Sequence, residues 1–161
     1  MEMKAGRAGR RSAAAEREVR RDSALRRART CYDHLAGVVG VGLLHVMLAR
    51  HWLAPAAGAR DRYRMTARGV DALLRRGVDL IGAAASRRPF ARACRDWTER
   101  RPHLGGALGA AVLRSLTRGG IVRRTRGSRV VTLAGSLGRW LGAVHHAHVI
   151  RRRGRRRRRA R

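Results

Sequence analysis

The sequence predicts a mainly α-helical protein with short β-hairpins, arranged as two related halves. Three observations carry this expectation. The first is an internal repeat. Cys31-x-Asp33 matches Cys94-x-Asp96, and His34-Leu35-Ala36-Gly37 matches His103-Leu104-Gly105-Gly106. Thr66-x-x-Gly69 likewise matches Thr132-x-x-Gly135. Only the spacing from Asp to His differs between the copies. The second observation is a pair of helix-length aliphatic runs, Leu35–Ala49 and Gly106–Leu116, each following its His-Leu step. The third is a pair of short β-branched segments, Ile121-Val122 and Val130–Leu133, flanking a turn with Arg126-Gly127-Ser128 at its tip.

Each half therefore reads as helix, short strand, turn, short strand, helix. Residues 1–27 are expected to form a basic, Ala-rich and partly disordered tail, of helix-forming composition but without an apolar stripe. The first half, 28–86, opens on Cys31, Asp33 and His34 as the polar start of the Leu35–Ala49 helix. Gly37, Gly40 and Gly42 each weaken that helix by up to ~1 kcal/mol relative to Ala. Their presence implies close approach by another backbone. A break follows at APAAGA, then Tyr63-Arg64-Met65 alternates as a strand, and Thr66 stands where strand hands over to helix. A hydroxyl there accepts orphan helix N–H bonds. The second half, 87–144, repeats this order, with Thr132 expected at the same handover. Helix, hairpin and helix is the layout of the later part of a winged-helix unit, so the expected architecture is two winged-helix-like halves. Residues 145–161 close the chain as a His/Arg-rich tail expected to be disordered, because like charges so dense repel.

A chain of 161 residues holds one ordinary domain or two very small ones. Hydrophobic residues make up 44% and aromatic ones only 4%, so the core must be built from Leu, Val and Ala. Lys and Arg number 39 against 10 Asp and Glu, a formal charge of +29, and Lys4 is the sole lysine. Two readings compete. Arginine forks suit phosphate and nucleic acid, whereas a GC-rich genome favours Arg, Ala and Gly without functional selection. Two cysteines and no apolar leader exclude a secreted disulfide scaffold and point to a cytoplasmic protein. The longest apolar run falls short of the ~20 residues of a membrane span, so no membrane association is expected.

Cys31, His34, Cys94 and His103 are the candidate sensing or metal residues. Two thiols and two imidazoles suit zinc or a softer metal, and Cys-x-x-His on a helix places both side chains on one face. Against this, the spacing matches no zinc finger, and a free Cys commonly packs as a small hydrophobe. Structural packing and a thiol redox switch both stand beside the metal reading, and no cofactor is assigned. Asp33 and Asp96 each follow an arginine, Arg29 and Arg92, by four residues, a spacing that suits a helical ion pair. No Ser-His-Asp set, phosphate loop or HExxH appears, which argues against an enzyme. His145, His146 and His148 could bind metal adventitiously. For DNA, the candidates are Arg123, Arg124, Arg126 and Arg129 around the basic hairpin turn. Arg100 and Arg101 join them, expected just ahead of a helix N-terminus that favours phosphate. The competing reading is a solvated basic hairpin.

RTCYDHLAG, YRMTARG, CRDWTERRPHLGGALG and the closing hairpin and helix together resemble the C-terminal half of a subgroup of ArsR-type winged-helix transcriptional regulators. The resemblance covers about residues 29–144. It implies regulation of bacterial promoters, DNA binding and homodimerisation, with metals or small molecules sensed by some members. In that subgroup a winged-helix DNA-reading domain precedes RTCYDHLAG. Here a short basic stretch without a helix-turn-helix pattern stands there, so the first domain is expected to be absent. The expectation is a regulator or its C-terminal module. The alternatives are a protein-interaction or dimerisation module without sequence-specific DNA binding, and a polyanion binder acting through the Arg-rich tails.

Overall fold

In the computed structural model, residues 23–142 are described; residues 1–22 of the N-terminal tail and the whole 145–161 tail, with His145, His146 and His148, lie outside them. The segments expected to be polar helix starts are instead β-hairpins. After a short helix α1 (Ser23–Arg27), β1 (Arg29–Cys31) turns through Tyr32 and Asp33 into β2 (His34–Ala36). The long helix α2 (Gly37–Ala49) begins only then. The APAAGA segment is also no simple break, because β3 (Leu53–Ala56) and β4 (Ala59–Met65) form a second hairpin around it. Helices α3 (Ala67–Leu74) and α4 (Leu80–Ala84) follow. The second half repeats hairpin, helix, hairpin: β5 (Arg92–Arg95), β6 (Pro102–Gly105), α5 (Gly106–Arg118), β7 (Val122–Arg124) and β8 (Val131–Leu133). Helix α6 (Leu137–Leu141) ends the described chain.

This corrects the expected fold class. Six helices and eight strands in three antiparallel sheets, among the described residues, make the protein α+β rather than mainly α. No winged-helix repeat is formed. The physical reason lies in the two extra hairpins. Tyr32 and Arg100 turn them with φ of 58° and 56°, a left-handed conformation that L side chains adopt at a cost of roughly 1–2 kcal/mol. The Asn-Gly or Asp-Gly pairs that usually announce such turns are missing.

The two halves are interlaced. β4 pairs with β5 at Arg62↔Arg92, giving one sheet of order β3-β4-β5-β6. Reciprocally, an isolated bridge Arg29↔Val130 sets β7–β8 beside β1–β2. There the Thr30 N–H donates to the Arg129 carbonyl at 2.8 Å and the Val131 N–H to the Ala28 carbonyl at 3.0 Å. The helices cross over in the same way: α2 packs on β6, and α5 packs on β2. Leu44, Met47, Leu53, Leu73, Leu108, Val112, Leu116 and Val122 are all fully buried, an aliphatic core shared by both halves.

Glycine makes this crossing possible. A Cβ at Gly40 would collide with the Leu35 carbonyl and lie 3.6 Å from the His103 Cβ. A Cβ at Gly109 would collide with the Leu104 carbonyl and lie 3.1 Å from the His34 Cβ. Each helix thus admits the histidine of the other half. The threonine match is offset. Thr66 caps α3 by accepting from the Gly69 N–H at 3.0 Å, but Thr132 lies inside β8 opposite Arg123. The cap of α6 is Ser136, which accepts from the Arg139 N–H at 3.1 Å.

Candidate functional site

Cys31 and His34 are cross-strand partners in the first hairpin, and Cys94 and His103 hold the same relation in β5–β6. Directly opposed residues of an antiparallel pair present side chains on one face. The hairpins also sit close enough to bring those faces together. The Cys31 and Cys94 Sγ atoms lie 4.0 Å apart, and the His34 and His103 rings have centroids 5.1 Å apart. One ligand atom from each of the four residues falls within 4.8 Å of every other. The sequence-level candidates are therefore a single cluster, not two remote copies. Each Cys–His pair shares the face of its own hairpin, in two different sheets, and not, as a Cys-x-x-His helix would have it, a helical face.

The carboxylates expected to pair with their own upstream arginines do something else. His34 Nδ1 lies 3.2 Å from Asp33 Oδ1, and His103 Nδ1 lies 3.3 Å from Asp96 Oδ2. The second contact is within ion-pair reach but is not aligned as a hydrogen bond. In each half the Asp of Cys-x-Asp thus faces the Nδ1 side of the histidine. Both Nε2 atoms are buried and lack a hydrogen-bond partner among the described residues. Gly105 lets them meet: a Cβ there would stand 3.1 Å from the Cys94 Cβ and 3.3 Å from His34 Nε2. Sequence reasoning missed the Asp and Gly105 roles, although the Asp recurs in both copies and was a signal.

Asp96 is fully buried and anchors a network across the halves. It accepts from Arg29 Nη2 at 2.6 Å, the Gly37 N–H at 2.7 Å, the Thr98 hydroxyl at 2.7 Å and the Thr98 N–H at 2.9 Å. Arg29 is itself 0% exposed and stacks 4.7 Å over the Trp97 ring. Asp33 instead makes an exposed bidentate pair with Arg88. Neither the Arg29–Asp33 nor the Arg92–Asp96 pair forms.

Burial favours the uncharged forms of His34, His103 and Cys94. Burial lowers the His34 pKa against the opposing pull of Asp33. Burial and the nearby His34 push His103 down to about 4. Burial and the neighbouring Cys31 push the Cys94 thiol up to about 11. Burial would raise Asp96, yet hydrogen bonds from Thr98, Gly37, Glu99 and Arg29 outweigh it and hold the carboxyl well below its usual range. Neutral imidazoles with free Nε2 lone pairs are the ligating form. A solvent-open cavity of about 510 Å³, bordered by Tyr32, His34, Arg88, Arg92 and Cys94, reaches the cluster.

The candidate DNA residues are exposed but divide between two hairpins. Arg123 and Arg124 lie in β7, and Arg126 and Arg129 in the turn toward β8, where Arg129 Nε donates to the Thr30 carbonyl at 3.2 Å. Arg100 and Arg101 lie in the β5–β6 turn. They do not lead directly into a helix, because β6 intervenes and the N-cap of α5 is Gly105. Among the described residues, no helix is long and apolar enough to cross a membrane.

A Bacillus subtilis (strain 168) protein named an uncharacterized HTH-type transcriptional regulator, YdfF, is 41% identical over 106 residues. The match covers 64% of this chain and 46% of that protein, so the chain spans about half the length of the curated relative. No protein-family model and no solved structure matches the chain.

Proposed function

We propose that the chain acts in transcription regulation, as a module of an ArsR-type HTH regulator that works through homodimerisation and DNA. The observation that supports this most is the 41% identity to a protein named an HTH-type transcriptional regulator. The charge of +29 and the exposed arginines of the β7–β8 hairpin supply phosphate contacts for such a role. No catalytic step is needed.

The test is binding to duplexes from upstream of the gene and to scrambled duplexes across a salt series, with oligomeric state followed by sedimentation. Three proteins are compared: the full chain, a chain ending at Ile150, and R123A/R124A/R126A/R129A. The expected result is a dimer whose preference for the upstream duplex survives moderate salt and removal of the tail. The four-arginine variant should show a shallower salt dependence. Equal binding to both duplexes that collapses with salt would overturn DNA reading by this chain. A dimerisation module without sequence-specific DNA binding would then take its place. That second reading is favoured by one observation, the lack of a winged helix among the described residues.

A further inference from the structure

We propose that Cys31, His34, Cys94 and His103 together bind one zinc-class divalent ion, through two Sγ and two Nε2 atoms. The ion ties the β1–β2 hairpin to the β5–β6 hairpin. The proposal stands on geometry and does not depend on the regulatory reading.

Donor chemistry comes first. Two thiols with two imidazoles form a set that suits tetrahedral zinc. Bond lengths of about 2.3 Å to sulfur and 2.0–2.1 Å to nitrogen place tetrahedral ligand atoms roughly 3.3–3.8 Å apart. With 4.0 Å between the sulfurs and one ligand atom of each residue within 4.8 Å of the others, only a small inward adjustment is needed. So narrow a spread encloses one ion and leaves no room for a two-iron cluster.

The surroundings point the same way. A histidine kept only for packing would have its ring nitrogens hydrogen-bonded, yet both Nε2 atoms are buried without a partner. The Nδ1 side of each ring faces the carboxylate of its own hairpin, Asp33 or Asp96. At His34 this contact is a hydrogen bond, the arrangement that fixes a histidine tautomer and leaves Nε2 for a metal, and at His103 the carboxylate stands at ion-pair distance from Nδ1. Charge also balances locally: two thiolates neutralise a divalent ion, and the two carboxylates offset Arg29 and Arg88, which contact them. The cavity beside His34 and Cys94 gives an ion access from solvent.

The test uses the full chain, purified under reductant, with metal analysis by mass spectrometry and cobalt(II) titration of the chelator-stripped protein. The expected result is one zinc per chain. Cobalt should give tetrahedral visible bands and thiolate charge transfer, saturating at one equivalent. C31S and C94S each lose half or more of the charge-transfer intensity and bind at least about 10-fold more weakly, and C31S/C94S loses the signal. Far-UV circular dichroism establishes that these variants fold, since both cysteines are only partly buried. H145A/H146A/H148A, altered in the tail, retains full binding. Three outcomes overturn the proposal. One is wild-type metal far below one equivalent, and another is binding that disappears with the tail histidines. The third is a chain isolated in parallel without reductant that is lighter by two hydrogens, which would mark a Cys31–Cys94 disulfide.

Discussion

In the first hairpin Asp33 stands directly before His34, whereas six residues separate Asp96 from His103 in the second. The same Cys, Asp and His therefore reach different environments. The tight turn leaves Asp33 43% exposed at its side chain, paired with Arg88 at the surface. The longer turn carries Asp96 into the interior, where Thr98 from that turn, Arg29 and the Gly37 N–H all converge on it. Both carboxylates face the Nδ1 side of a histidine and both reach the other half, Asp33 at the surface through Arg88 and Asp96 in the interior through Arg29 and the Gly37 N–H. A duplicated motif can thus keep one chemical role while its structural role concentrates in one copy.

The largest effect expected from this asymmetry is at Asp96. Asp96→Ala leaves Arg29 charged and buried without its partner and should cost about 3–5 kcal/mol. Asp33→Ala breaks an exposed pair and should cost ~0–1 kcal/mol. Urea unfolding of the two variants makes the comparison, and equal losses would end the claim that the copies have diverged. A sharper form separates the two roles. If the cluster holds an ion, Asp33→Asn and Asp96→Asn should both weaken cobalt binding by about 10–100-fold. Their stabilities should differ even so.

A second comparison lies within α2. Gly40 and Gly42 are two residues apart on one helix, and sequence alone treats them alike. A Cβ at Gly40 would strike the Leu35 carbonyl and crowd His103, whereas nothing lies within 4 Å of one at Gly42. Gly40→Ala should therefore destabilise by about 1–3 kcal/mol through overpacking. Gly42→Ala should stabilise by about 0.5–1 kcal/mol, as for any exposed helical glycine. Thermal melts of the two variants should move in opposite directions; shifts of the same sign would mean that α2 does not pack as described.

These positions also show what was legible in the sequence. The two long helices and the β7–β8 hairpin stand close to where the aliphatic runs and β-branched pairs put them. Close approach at glycines inside a helix was also foreseeable, although what approaches Gly40 is the histidine of the other half. The hairpins carrying Cys31 and Cys94 were hidden, because Tyr32 and Arg100 occupy left-handed positions that carry no turn signature. With the hairpins went the site geometry. Cys-x-x-His reads as a helical spacing, and only strand pairing turns it into a cross-strand pair. Burial of Arg29 was equally invisible in a chain with so many solvated arginines.

The smallest predicted effect concerns the threonines that the repeat aligns. Thr66 accepts from the Gly69 N–H at 3.0 Å, and its hydroxyl donates to the His51 carbonyl at 2.5 Å, joining the cap of α3 to the end of α2. The residue that occupies this place in the second half is Ala134, whose N–H donates to the Ile121 carbonyl at 3.0 Å as the Thr66 N–H does to Trp52 at 3.1 Å. Thr132 is two residues earlier, exposed within β8, and caps nothing. Thr66→Ala should thus cost about 1 kcal/mol, and Thr132→Ala should stay within about 0.5 kcal/mol of the parent. Chemical denaturation resolves a difference of that size. A comparable loss at Thr132 would restore the sequence alignment of the two halves and displace the register given by strand pairing.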